Sequence, residues 1–105
     1  MKEISPTELK ARLDKGEDVM IVDLREDYET DSGTITDLHI PLADLKSRCA
    51  EIRRQGPVVL CCRSGKRSAA AVRALEVDEH YDNLYYLCGG LEAWANEIDP
   101  NLDVY

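Results

Sequence analysis

The stretch from Val58 to Val72 constrains this chain more than any other. An apolar run, Val58-Val59-Leu60-Cys61, passes directly into Cys62-Arg63-Ser64-Gly65-Lys66-Arg67, and an alanine-rich segment, Ser68-Ala69-Ala70-Ala71-Val72, begins at once. The run reads as a buried strand, Gly65 marks a tight turn, and the alanines predict a helix. A thiol at the mouth of such a turn faces unpaired backbone N–H groups and the positive end of a helix dipole. With Arg63, Lys66 and Arg67 beside it, a cysteine there is expected to be reactive.

The rest of the chain repeats the alternation. Ser5-Pro6-Thr7-Glu8 carries an N-cap serine, a proline at the first helical position and a glutamate three after the cap, so a helix is predicted from Pro6, stopped by Gly16. Val19-Met20-Ile21-Val22 is a continuous apolar run, the pattern of a strand covered on both faces in a parallel sheet. It leads into Asp23-Leu24-Arg25-Glu26. Ligands gather at the carboxyl ends of such strands, so Asp23 and Arg25 either lie near the cysteine loop or pair with each other and nearby backbone. Leu38-His39-Ile40-Pro41 predicts a brief edge strand closed by proline. Leu42, Leu45, Cys49 and Ile52 predict one buried helical face across Leu42 to Arg54. Leu84 to Leu87 reads as the last strand, Gly89-Gly90 as a tight turn, and Leu91, Trp94 and Ala95 as a final short helix. The tail from Ile98 to Tyr105 is expected to be ordered or semi-ordered. Strands alternating with helices define an α/β domain with a mostly parallel sheet, and 105 residues suit one domain, 1–105.

A net charge of −8 argues against nucleic acid as a partner, because phosphate backbones select a basic face. Three cations within the 63–67 loop then stand out as a small positive well suited to a compact anion. Cys49, Cys61, Cys62 and Cys88 form no C-x-x-C pair and no zinc spacing, and His39 and His80 lie far apart, so no metal is expected. No apolar core follows Met1 and no run approaches membrane-spanning length, which predicts neither a signal peptide nor a membrane partner. Reduced cytoplasmic thiols are the expectation.

Two registers compete at the loop. Cys61 to Arg67 spells C-x5-R, the spacing of a phosphatase or arsenate reductase, whereas Cys62 to Arg67 spells C-x4-R. Gly65 stands three residues after Cys62, where the turn needs a residue free to take positive φ. Cys61 then reads as the last strand residue, its side chain pointing the other way.

Cys62-Arg63-Ser64-Gly65-Lys66-Arg67-Ser68 resembles the C-R-x-G-x-R-S active-site loop of single-domain rhodaneses, a sulfurtransferase family. The resemblance extends to Val22-Asp23-Leu24-Arg25-Glu26, Ile40-Pro41-Leu42, Leu87-Cys88-Gly89-Gly90-Leu91 and Trp94, nearly the full length. It implies a rhodanese-like α/β fold with a mostly parallel five-stranded sheet and helices on both faces. It further implies that Cys62 is the catalytic cysteine and carries a persulfide, with Arg63, Ser64, Gly65, Lys66, Arg67 and Ser68 binding the substrate and Asp23 and Arg25 supporting them. The donor would be a small anionic sulfane-sulfur compound such as thiosulfate, the acceptor cyanide, a thiol or a protein, with no separate cofactor. Six-residue loops in the family handle sulfur, and longer ones handle phosphate. Trp94 to Tyr105 resembles the ends of rhodanese domains fused to adenylating enzymes, which implies a ubiquitin-like sulfur-carrier protein as acceptor; a thioredoxin-like reductant is the other implied partner. Two departures stand out: Gly33-Thr34-Ile35 where the family often has Gly-His-Ile, and Glu79-His80-Tyr81 where a glycine commonly ends the helix. A phosphatase or reductase using the same cradle, and a non-catalytic interaction module, are the alternatives. Cys61 and Cys88 are expected to be structural, because reactive thiols need an electropositive, accessible setting; the alternative is a role as resolving thiols.

Overall fold

The alternation read from the sequence closes into a parallel sheet. In the computed structural model, which describes residues 2–105, the strands are β1 (Lys2–Ile4), β2 (Met20–Asp23), β3 (Val58–Cys61) and β4 (Leu84–Leu87). They lie in the order β1-β4-β3-β2, every pair parallel. The connecting helices are α1 (Pro6–Asp14), α2 (Asp27–Thr30), α3 (Leu45–Arg48), α4 (Lys66–Asp78) and α5 (Gly90–Glu97).

Side chains leave each strand alternately to the two faces, and the period of two divides the core. Val58 and Leu60 join Val22, Leu84, Val72 and Leu75 on the face covered by α3 and α4. Val59 and Cys61 join Ile4, Ile21, Leu9, Leu91 and Trp94 on the face covered by α1 and α5. Cys61 is fully buried there, as the sequence predicts. Leu102 and Val104 of the tail pack against this second core.

Among the described residues the sheet has four strands rather than the expected five. Leu38–Pro41 makes only one bridge among the described residues, His39 beside Asp23, because the next bond falls out of register, with Leu42 N–H donating to the Leu24 carbonyl as the chain turns into the 3-10 segment. Lys2–Ile4 adds an edge strand that no apolar run announces; its only buried side chain is Ile4. The helix expected over Leu42 to Arg54 is shorter. Four residues of α3 lie between 3-10 turns at Leu42–Asp44 and Cys49–Glu51. The Tyr81 hydroxyl lies 2.8 Å from the Cys49 carbonyl and 2.9 Å from that of Ile52, occupying acceptors a longer helix would use. At the start of α1, the Ser5 hydroxyl accepts from Glu8 N–H and Glu8 accepts from Ser5 N–H, the predicted capping box. His80 ends α4 at φ 59°, the left-handed position where glycine is more usual.

Candidate active site

Strand β3 ends at Cys61, so Cys62 is the first residue of the turn at the carboxyl edge of the sheet. Gly65 caps α4 with φ 98°, the positive value that the C-x4-R register requires. The conformation brings Gly65 N–H to 3.2 Å from Cys62 Sγ. Ser68, in the first turn of α4, places its hydroxyl 3.4 Å from the same sulfur and 3.1 Å from the Gly65 carbonyl. With a protonated sulfur, the S–H can donate to Ser68 Oγ while that hydroxyl donates to Gly65. With an anionic sulfur, the single hydroxyl proton can turn to the sulfur instead. The site therefore has a donor that adapts to either state of Cys62.

The β4–α5 turn completes the loop from outside. Leu91 N–H donates to the Cys62 carbonyl at 2.8 Å, and Glu92 N–H donates to the Arg63 carbonyl at 3.0 Å. These two carbonyls are thus held on the N-terminus of α5. The first-turn N–H groups of Lys66 and Arg67 have no partner among the described residues, leaving donors free at the loop. Gly90 permits this contact because a Cβ there would lie 2.3 Å from the Arg63 carbonyl oxygen and 2.6 Å from that of Cys62. A Cβ on Gly65 would lie 3.2 Å from the Leu87 carbonyl oxygen.

The cations do not all face outward as a well. Arg67 forks onto Glu29, with Nη1 to Oε1 at 2.7 Å and Nη2 to Oε2 at 2.8 Å. Glu29 is nearly fully buried, and its bond to Arg67 holds its carboxyl down at about 2, against an ordinary 4.5. Arg67 is correspondingly raised by Glu29. Arg63 lies 3.7 Å from Glu92. Lys66 is exposed and has no ion-pair partner among the described residues. Of the three loop cations, one is therefore neutralised by a buried carboxylate and one leans on a neighbour.

Asp23 and Arg25 lie one strand away, fully buried and paired with each other. Arg25 Nε, Nη2 and backbone N–H donate to the Asp23 carboxylate at 3.0, 2.8 and 3.1 Å, and Thr34 Oγ1 adds a fourth donor at 2.7 Å. The remaining Arg25 donors reach the carbonyls of Glu29 at 3.1 Å and Gly33 at 2.6 Å. His39 Nε2 donates to the Arg25 carbonyl at 2.6 Å. Arg25 consequently anchors the backbone of α2, whose Glu29 side chain grips Arg67. Asp23 stands beside Cys61 in the strand register, not beside Cys62. Burial pushes the Cys61 thiol well up, with Asp23 adding to the effect. The exposed Cys88 thiol is also raised, first by desolvation and then by Glu3. Glu29 and the Gly90 contact are the features that the sequence reading missed.

The family model for the rhodanese-like domain matches residues 5–97. The chain belongs to the rhodanese-like domain family. Among relatives, it is 38% identical over 101 residues to a sulfurtransferase of Allochromatium vinosum, covering 95% of this chain and 94% of that protein. It is 32% identical over 119 residues to the adenylyltransferase and sulfurtransferase MOCS3 of Arabidopsis thaliana, where 97% of this chain covers 25% of the longer protein. A rhodanese-like domain protein from Staphylococcus aureus superposes with a TM-score of 0.84 at 31% identity, over 100% of this chain and 99% of that one. Among the described residues, this rhodanese-like chain has no cluster of side chains that could hold a metal ion, and no helix long and apolar enough to cross a membrane.

Proposed function

We propose that this chain is a sulfurtransferase in which Cys62 carries the transferred sulfur. The observation that carries this reading is the loop itself: Cys62 Sγ accepts Gly65 N–H and contacts Ser68, while the Cys62 and Arg63 carbonyls are tied to α5. Donors thereby converge on the sulfur, the arrangement that an anionic nucleophile and a terminal persulfide sulfur both need.

In the first half-reaction, the Cys62 thiolate attacks the outer sulfur of thiosulfate. A new sulfur–sulfur bond forms to Cys62, the bond to the sulfonate breaks, and sulfite leaves with the electron pair. The persulfide retains one negative charge, so charge balances. In the second, a nucleophilic acceptor takes the outer sulfur and Cys62 returns as thiolate. Lys66, exposed at the loop, attracts the anionic donor, while Arg63, Ser64 and Gly65 shape its approach. Cyanide, a thioredoxin-like thiol or a ubiquitin-like sulfur-carrier protein would serve as acceptor. Its free thiols fit a reducing cytoplasmic setting. The register supports sulfur over phosphorus: Gly65 takes its positive φ three residues after Cys62, so the loop runs six residues from Cys62 to Arg67, the length that the family resemblance associates with sulfur.

Incubation with thiosulfate followed by intact-mass measurement tests the reading. Cys62→Ser should abolish a gain of one sulfur atom, and Cys61→Ser should retain it. If Cys61→Ser alone removes the adduct, the assignment of the nucleophile is wrong. Cys62-dependent turnover of a phosphate ester without any adduct would replace the sulfur chemistry altogether.

A further inference from the structure

Away from the loop, an open cavity of about 310 Å³ lies between α4 and the segment that precedes and includes α3. Its walls are Leu42, Leu45, Ala70, Ala74 and Leu75, with Lys46 at the rim and Asp78 at the foot. Apart from the charged Lys46, Asp78 and Glu79, every lining side chain is apolar, so few polar groups are there to orient a small molecule. Apolar walls with charge only at the edge match the side chains of a protein partner.

The placement links this groove to the loop. Ser68, which touches Cys62 Sγ, stands two residues before Ala70 on the same helix. Lys66 is four residues before Ala70 and Arg73 three after, so both cations share the groove's side of α4. Lys46, Lys66 and Arg73 are exposed and have no ion-pair partner among the described residues. In a chain of net charge −8, the loop end of this face is cationic, and the opposite end carries Asp78 and Glu79. Val77, 66% exposed, extends the apolar surface along the helix.

Resting on the sulfurtransferase reading, we propose that this groove docks the protein that accepts sulfur from Cys62, through apolar side chains flanked by carboxylates on the loop side and a cation at the far end. A second copy of the chain fits less well. Two-fold pairing sets the same patch against itself, and a concavity facing a concavity leaves both unfilled. Docking one or two helical turns from the nucleophile would raise the local concentration of the accepting thiol, without any new contact to the sulfur itself.

The probe is a synthetic amphipathic peptide. It carries two leucines one helical turn apart, glutamates before them, a lysine after them, and a glycine linker leading from the glutamate end to a cysteine. Titrated into the isotopically labelled protein, it should shift the amide signals of Leu42, Leu45, Ala70 and Ala74. It should also discharge the Cys62 persulfide roughly tenfold or more faster than the same peptide with serine in place of leucine. Ala74→Glu should remove both effects and leave discharge to cyanide unchanged. Lys46→Glu should weaken binding, and replacing the peptide glutamates by lysine should restore it. Shifts elsewhere, equal discharge by the serine peptide, or an Ala74→Glu variant that binds normally would overturn the proposal. So would a free protein that is dimeric and becomes monomeric on Ala74→Glu, because a second copy would then cover the groove. Failure to form any persulfide would refute the sulfurtransferase reading alone, while the amide shifts would still decide the docking.

Discussion

Replacing Glu29 by glutamine tests the pair that holds the loop from below. Glu29 is 5% exposed at its side chain and its carboxyl is held at about 2, against 4.5 when free. That depression corresponds to about 3 kcal/mol favouring the folded carboxylate. Its partner Arg67 is 34% exposed, so solvent screens part of the interaction and about 2 kcal/mol is the expected loss at neutral pH. For a chain of this size, that lowers Tm by roughly 10 °C. Because the folded value lies below the unfolded one, the stabilisation is fully present above pH 4.5 and is lost as pH falls through about 2. Glutamine retains the shape and one acceptor but no charge. The difference in unfolding free energy between wild type and Glu29→Gln, measured in urea at a series of pH values, should therefore be constant from pH 7 to about 5. It should shrink between 4.5 and 2. Other carboxylates titrate in both proteins and cancel in the difference. A gap that persists undiminished at the acid end would mean that packing, not charge, is what Glu29 supplies. No gap at pH 7 would mean that the fork contributes nothing to stability.

Two glycine-related predictions check the backbone argument. Gly90→Ala should cost about 2–4 kcal/mol and abolish persulfide formation, because the new methyl would strike the Cys62 and Arg63 carbonyls. Gly16→Ala, at a similar positive φ but with nothing within 4 Å, is the control and should cost only about 1 kcal/mol in the same urea titration. His80→Gly should stabilise by about 0.5 kcal/mol, the relief of a left-handed histidine being partly offset by the greater freedom of glycine when unfolded. A thermal melt with unchanged or lower Tm would show that His80 makes a compensating contact.

The parts of the site that were legible in the sequence are those made by neighbours. The choice of Cys62 over Cys61 needed only the offset of Gly65, whose φ of 98° fits a turn in that register; burial does not separate the two thiols, since both are fully buried. Continuous apolar runs marked β2, β3 and β4 because strands covered on both faces leave no polar positions. Lys2–Ile4 carried no such mark, since an edge strand with two exposed side chains has little apolar surface to declare. Glu29 was one of 21 acidic residues, and its meeting with Arg67 spans 38 positions. No local pattern encodes such a contact. Thr34 likewise looked like a lost histidine, although its hydroxyl supplies Asp23 with a donor.

The distribution of charge around the loop changes what its basic residues can do. Read in one dimension, Arg63, Lys66 and Arg67 make a single positive well. In the fold, α2 reaches across to neutralise Arg67, and α5 brings Glu92 toward Arg63. What faces a ligand is then mainly the ammonium of Lys66 and the backbone donors at the start of α4. Backbone N–H groups are fixed by the turn and carry no counter-ion, so they can stabilise a sulfur anion without closing the site to a neutral or weakly charged acceptor. Arg67 is also bonded to Glu29, whose backbone Arg25 holds, so its contacts tie the cysteine loop to the end of β2. On the proposed reading, attraction of an anionic donor and rigidity of the loop would fall mainly to different cations. Neutralising Lys66 should affect donor encounter, whereas disturbing Glu29 should affect the loop itself.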